Sequence, residues 1–222
     1  MPENRSQIWR RSMKLGMKTR LGVAAVSAAA VATTIAAAPA SAEPILPIDY
    51  DASGSSYIAS TDSTVSLGPT TLSTNVDYAT FEFTGSMPLP GTRTKFNLIG
   101  FLPVTADVAF VEAAPITGNL SAGQVESRVD AVATYHLKLS NIKIAGFPTF
   151  TGSHCRTVNP ITIPIESPPE GGFNLFVGGH VSGEFNIGKF QNCGLNTWLI
   201  NAVVPGSGNT VDIDISNARV RP

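Results

Sequence analysis

Apolar and polar side chains alternate along much of this chain, most clearly in "VESRVDAVATYHLKL". Val125, Val129, Ala131, Ala133, Tyr135, Leu137 and Leu139 share one parity, and Glu126, Arg128, Asp130, Thr134, His136 and Lys138 share the other. A period of two belongs to a strand with one buried and one wet face. The parity flips after Ser140-Asn141, where Ile142 and Ile144 take over the apolar role, and a bulge or bend would do this. Upstream, Val104, Ala106, Val108 and Phe110 alternate with Thr105 and Asp107, and "NLSAGQ" supplies turn residues. The two runs predict one long antiparallel hairpin over 104–139, interrupted near Pro115.

Shorter runs extend the plan. "TFEFT" points Phe81 and Phe83 inward, and "KFNLIGFLPV" is apolar enough for a central strand. "ITIPIE" puts Ile161, Ile163 and Ile165 on one face, but Pro164 cannot donate to a ladder, which predicts an edge strand. "VGGHVSGEFNI" is a glycine-punctuated strand, and "VDIDI" closes the chain with Val211, Ile213 and Ile215 inward. Turn residues recur every ten or so positions, the spacing of an antiparallel sandwich or barrel. One helix is expected, in "LNTWLINAVV", capped by Asn196 and stopped by Pro205-Gly206. Its Leu195, Trp198 and Leu199 are expected to cover an open end of the β-structure. "PGSGNT" is expected to turn the chain back into the sheet. Residues 43–54 look like an extended lead-in. The fold class expected is all-β, one antiparallel sandwich or barrel-like domain.

The first 42 residues stand apart from this pattern. Six cations precede an alanine-rich apolar run at 21–38, and "PASAEP" offers Ala40 and Ala42 for a cut before Glu43. Basic, apolar, then small residues is the secretory leader pattern. A start at Met13 or Met17 would shorten the leader to a more usual length. The expected division is a signal peptide at 1–42 and a single secreted domain at 43–222, with no transmembrane helix in the mature chain. The whole chain has 15 Lys and Arg against 16 Asp and Glu. Without the leader's six cations and one acid, 9 basic and 15 acidic residues remain, a net charge of −6. That balance, with no basic cluster, disfavours nucleic acid and predicts repulsion from anionic surfaces.

Catalytic and metal motifs are absent. His136 and His180 fall on polar strand faces and His154 in a loop. None has a second ligand at metal-site spacing, and no cofactor is expected. His180 and Glu184 share a face but stand roughly 13 Å apart along a strand. Asp212 and Asp214 alternate on one face of the last strand. They fit the wet side of an amphipathic strand better than an acid–base pair or a calcium site. Asn119 opens a glycosylation-like "NLS" in a turn-rich segment. Cys155 and Cys193 are the only cysteines. In an exported chain two thiols are expected to bond to each other, closing a loop that contains the Pro164 strand and the glycine-rich strand.

Four segments, "GFLPVTADVAFVEA", "CRTVNPITIPIES", "KFQNCG" and "LINAVVPGSGNTVDI", together with the leader, resemble a family of small secreted β-rich proteins of actinobacteria. The resemblance implies an exported, β-rich extracellular or envelope protein. It carries no catalytic assignment. The first functional expectation is a non-enzymatic envelope or extracellular protein, structural or binding, whose partner is a cell-wall component, a lipid or another envelope protein. The alternatives are a secreted hydrolase using Asp212, Asp214, Glu184 or His180, and an oligomeric outer-membrane pore lined by the hairpin over 104–139.

Overall fold

In the computed structural model, residues 45–98, 101–121, 127–168 and 172–222 are described. The leader, the cut before Glu43 and the tip of the "NLSAGQ" turn lie outside them. The strands are β1 (Ile45–Ile58), β2 (Ser63–Asp77), β3 (Glu82–Ser86), β4 (Thr92–Leu98), β5 (Leu102–Leu120) and β6 (Val129–Ile144). Then come β7 (Phe147–Pro148), β8 (Arg156–Thr157), β9 (Ile161–Glu166), β10 (Gly179–Ile187), β11 (Phe190–Gln191) and β12 (Gly206–Val220). One helix, α1 (Thr197–Val203), follows a 3₁₀ turn at Gly194–Asn196.

Eight staves close an antiparallel barrel in the order β6, β9, β10, β12, β1, β2, β3, β5 and back to β6. Alternation explains the closure, since every stave turns one apolar parity inward and one polar parity outward. Ile48, Tyr50 and Ala52 of β1, Ala131, Ala133 and Tyr135 of β6, and Val211, Ile213 and Ile215 of β12 are all buried. Between them the outward positions are Asp49 and Asp51, Val132 and Thr134, and Asp212 and Asp214.

The expected hairpin is β5 paired with β6. Its register slips between Glu112 and Ala114 and again before Thr117, around Pro115. The expected parity flip is a bulge. Thr105–Asp107 faces Ser140–Lys143, one residue longer, and Asn141 takes a positive φ. The Pro164 strand keeps its one weak flank, yet it is a barrel stave and not a sheet edge. β9 pairs with β6 over six residues but with β10 only at Ser182–Glu166. There β10 comes so close that a Cβ on Gly183 would collide with the Pro164 carbonyl oxygen.

Four further expectations need correction. The "lead-in" is β1, paired on both sides; Pro47 sits in the strand without ending it. "KFNLIGFLPV" is not one central strand. Leu98 pairs with Leu102, so the stretch is the end of β4 and the start of β5. "PGSGNT" is not a turn either. β12 starts at Gly206, and the extra residue near Gly208, at φ +76°, makes a bulge against Phe185–Ile187. Asn209 is fully buried there. Its amide donates to the carbonyls of Phe185 and Gly206, and its carbonyl oxygen accepts from the Ala59 backbone N–H. Lastly, the helix seats a different face. Ile200 is buried, Leu199, Val203 and Val204 pack on the core, and Leu195 and Trp198 stand out in solvent. Asn196 precedes the helix without a capping bond from its side chain. Thr197 Oγ1 ties the first turn to the segment before it, accepting from Cys193 N–H and donating to Gly194 O.

Candidate functional site

The two ends of the barrel differ. At the far end, residues 172–178 fold across the opening. Phe173 pairs its backbone with Ser127, and its ring meets Tyr50 edge-on at 5.8 Å. The Tyr50 hydroxyl donates to Leu175 O at 2.7 Å. At the helix end, the Cys155–Cys193 disulfide joins the loop before β8 to the start of the helical segment across a separation of 38 residues. Both cysteines are fully buried. Gly194, at φ +62°, passes so near Phe150 that a Cβ would lie 2.7 Å from its carbonyl oxygen. The pinned segment lays α1 over that end.

β3 and β4 are one strand broken by Met87–Gly91, and both halves pair with β5. Glu112 of β5 holds the break open, accepting from the Ser86 hydroxyl and the Met87 backbone N–H. Only β3 pairs with β2, at Ser73–Val76. Residues 63–72 of β2 and 92–98 of β4 run side by side without a ladder, leaving a seam in the wall toward the helix end.

Inside that seam and beneath α1 lies a cavity of about 100 Å³. Its walls are aliphatic and aromatic: Val65, Phe96, Phe110, Leu139 and Ile163 among them, with Val203 of α1 above. Small inward residues, Ala106 and Ala133, leave the space open. Few polar groups reach it, and nearly all are already engaged. Ser56 donates to Thr210 O, Thr61 and Ser63 share a hydrogen bond at 2.7 Å, and the Tyr135 hydroxyl donates to Met87 O. Burial, with Glu112 nearby, pushes the Tyr135 phenol above its ordinary range, so it stays a protonated donor. Thr94 differs. It is 8% exposed and lines the cavity, and its hydroxyl has no hydrogen-bond partner. A buried hydroxyl left unpaired is costly, and such a group calls for an explanation.

The residues expected for hydrolysis assemble only in part. His180 pairs in register with Asp214 across β10 and β12. His180 Nδ1 is 3.0 Å from Asp214 Oδ1, and Nε2 is 3.7 Å from Asp212 Oδ1. Glu184 pairs with Thr210 and has no part in the cluster. The cluster lies on the outer wall, with both aspartates more than half exposed, as the wet-face assignment predicts. His136 faces Thr157 Oγ1 at 3.1 Å and His154 is exposed beside the disulfide. Asn119 lies within β5, opposite Asp130, and not in a turn. Among the described residues, no group of three or more His, Cys, Asp or Glu side chains could hold a metal. Sequence reasoning missed the cavity and Thr94. The only available sign was alanine at inward positions of β5 and β6, where bulkier residues would fill a barrel of this size.

Comparison with protein-family models, curated proteins and solved structures finds no match to this chain. Function must be argued from the site.

Proposed function

We propose that this chain is an exported, non-enzymatic binding protein whose barrel takes a slender apolar ligand, an acyl or comparable hydrocarbon chain with one hydrogen-bonding group. The observation that carries the reading is the apolar cavity with the unpartnered Thr94 hydroxyl in its wall. Ligand sites are concave and mostly apolar, with a few placed polar groups. Eight-stranded barrels have room for side chains or one small ligand. The size sets the ligand's shape. A dry cavity of about 150 Å³ accepts benzene. One of about 100 Å³ takes only the end of a narrow chain, and anything wider or longer has to part the β2–β4 seam or lift α1.

Export is supported by the leader pattern and by a buried disulfide, which persists in oxidising compartments. Among the described residues no helix is long and apolar enough to cross a membrane. The wall weighs against the pore reading. A bilayer-spanning barrel has an apolar outer band around a polar lumen. Here Thr210, Asp212, Asp214 and Ser216 face outward from β12 while Val211, Ile213 and Ile215 face in. The exposed His180–Asp212–Asp214 group has neither a pocket nor a means of excluding water, which leaves the hydrolase reading weakly supported.

The test is titration of the protein beginning at Glu43 with cis-parinaric acid, a fluorescent fatty acid. Saturable one-to-one binding is expected, displaced by a saturated fatty acid and abolished by Ala133→Leu, which fills the cavity. The Asp212→Asn/Asp214→Asn double variant is expected to bind as the parent does. Absence of binding, or undiminished binding by a folded Ala133→Leu protein, would sink the proposal. Loss of binding in the aspartate variant, with turnover of an ester probe by the parent, would move the function to the outer wall.

A further inference from the structure

Large apolar side chains crowd the rim of the helix end. Phe101 follows the β4–β5 turn, Phe147 the β6–β7 turn, Phe150 the loop before the disulfide, and Leu195 and Trp198 belong to the helical segment. Their exposures are 75%, 75%, 87%, 80% and 72%. They come from three separate segments, so no single loop accounts for them. Soluble domains seldom gather such side chains without a binding role.

Charge is sorted along the same axis. Among the described residues, six cations lie outside ion pairs: Lys95, Arg128, Lys138, Lys143, Arg156 and Lys189. All but Arg128 stand toward the helix end, on β4, β6, β8 and the β10–β11 turn. Asp62 at that rim accepts a hydrogen bond from the Tyr57 hydroxyl, and Asp107, on the same half of β5, is held by Arg93 and Asn141 with Lys143 nearby. Asp77, Glu82, Asp130 and Glu166 lie at the opposite end, Asp212 and Asp214 lie along the outer wall, and Glu184 is an outward acid on the helix-end half of β10. The net charge of the mature chain predicts repulsion from anionic surfaces. The fold overrides that prediction by turning its unpaired cations to one end.

The geometry points to an interaction surface at this end that docks on an anionic lipid bilayer. Aromatic side chains with an apolar body suit the headgroup boundary, and flanking lysines are drawn to anionic lipid. A protein partner would also cover apolar side chains, but the ring of lysines selects a surface dense in negative charge. Phe176 and Val177 are exposed at the other end too, but they sit in one turn without a cationic ring. Docking in this pose would bring the cavity and the β2–β4 seam next to the lipid. The surface and the cavity use different residues, so either stands if the other fails.

Residues 41–222 form one compact unit and every stave lies within it, so protein beginning at Glu43 can be tested. In that protein Trp198 is the sole tryptophan and reports its own surroundings. With vesicles of phosphatidylcholine containing phosphatidylglycerol, its emission should shift to the blue, acrylamide quenching should fall and the protein should pellet with the lipid. Phosphatidylcholine vesicles alone should bind at least about tenfold more weakly, and added salt should weaken the anionic case. Phe150→Ser with Leu195→Ser, at highly exposed positions, should reduce binding about tenfold. Lys143→Glu with Lys189→Glu should do the same without touching an apolar group. Four results would overturn the proposal. One is unchanged tryptophan emission with anionic vesicles, and another is equal binding to neutral and anionic vesicles. The others are undiminished binding by both variants, and a concentration-dependent dimer whose Trp198 is already shielded without lipid.

Discussion

Thr94→Val separates what the Thr94 hydroxyl does for the fold from what it does for a ligand. The side chain is 8% exposed and its hydroxyl unpartnered. Leaving a polar group in that state costs about 1–3 kcal/mol. Valine keeps the branched shape and strand preference and puts a methyl in place of the hydroxyl, so the penalty goes and no hole is left. At the low end of that range, about 1 kcal/mol, the melting temperature of a domain this size rises by about 2–4 °C. Ligand binding should move the other way. A hydrogen bond between Thr94 and the ligand's polar end contributes about 0.5–1.5 kcal/mol net, so its loss weakens binding roughly two- to tenfold.

The assay is thermal melting of delipidated parent and variant, with and without cis-parinaric acid, beside a direct titration. The expected signature is a crossing: the variant melts higher when empty and gains less from the ligand. A lower melting temperature in the empty variant would show that the hydroxyl has a partner in the native state. A higher one with unchanged affinity would show that the ligand does not meet Thr94. Either result refutes the reasoning that links this hydroxyl to the cavity's occupant.

Two further predictions concern the frame of the site. Cys193→Ser opens a loop closed across 38 residues, for which chain entropy gives roughly 4 kcal/mol, or about 8–16 °C in melting temperature for a domain this size; calorimetry checks it, and an unchanged melt would remove the disulfide from the list of fasteners. Asp107 receives hydrogen bonds from Arg93 and Asn141, which hold its carboxyl at about 2 instead of the usual 3.8. A depressed folded value stabilises above the unfolded one and is lost as pH falls through about 4 toward 2. Asp107→Asn should therefore flatten that limb of the stability curve, read by melting at a series of pH values, while a parallel limb would show that the pair adds nothing in solution.

The features that were legible in the sequence are those written locally. The β5–β6 hairpin, the slip near Pro115 and the bulge at Asn141 all follow from parity within one stretch of chain. Val211, Ile213 and Ile215 are inward because nothing interrupts their alternation. Bulges built on glycine were not legible. Gly68-Pro69 interrupts the alternation of β2, yet the strand runs through with a one-residue slip against Ala52–Gly54. Gly208 likewise has the composition of a turn and the structure of a bulge, because Asn209 ties it down with three hydrogen bonds. Barrel closure was not legible either. It depends on β1 pairing with β12, with Ser53 opposite Asp214, and no local pattern specifies a partner that far along the chain. The cavity escaped notice because an alanine facing a void and an alanine facing a neighbour look the same in sequence.

The misassigned helix face bears most directly on function. "LNTWLINAV" carries two apolar stripes, Leu195 with Trp198 and Leu199 with Ile200 and Val203, and a helix of seven residues can seat only one of them on the barrel. The disulfide and the tight approach at Gly194 fix where the helix begins, and Thr197 fixes its first turn. The second stripe then falls on the core and the first points away. A helix needed only as a cover for the barrel would do as well with polar side chains at 195 and 198. The same segment keeps Asn196 half-buried at the cavity wall with its amide donating to Thr151 Oγ1, and Asn201 turns back to bond Phe190. Leucine and tryptophan in the outward stripe add nothing to the packing beneath. They are exposed, as Phe147 and Phe150 are. The outward stripe therefore has no use inside the molecule, and its physical role lies in what this end of the barrel meets.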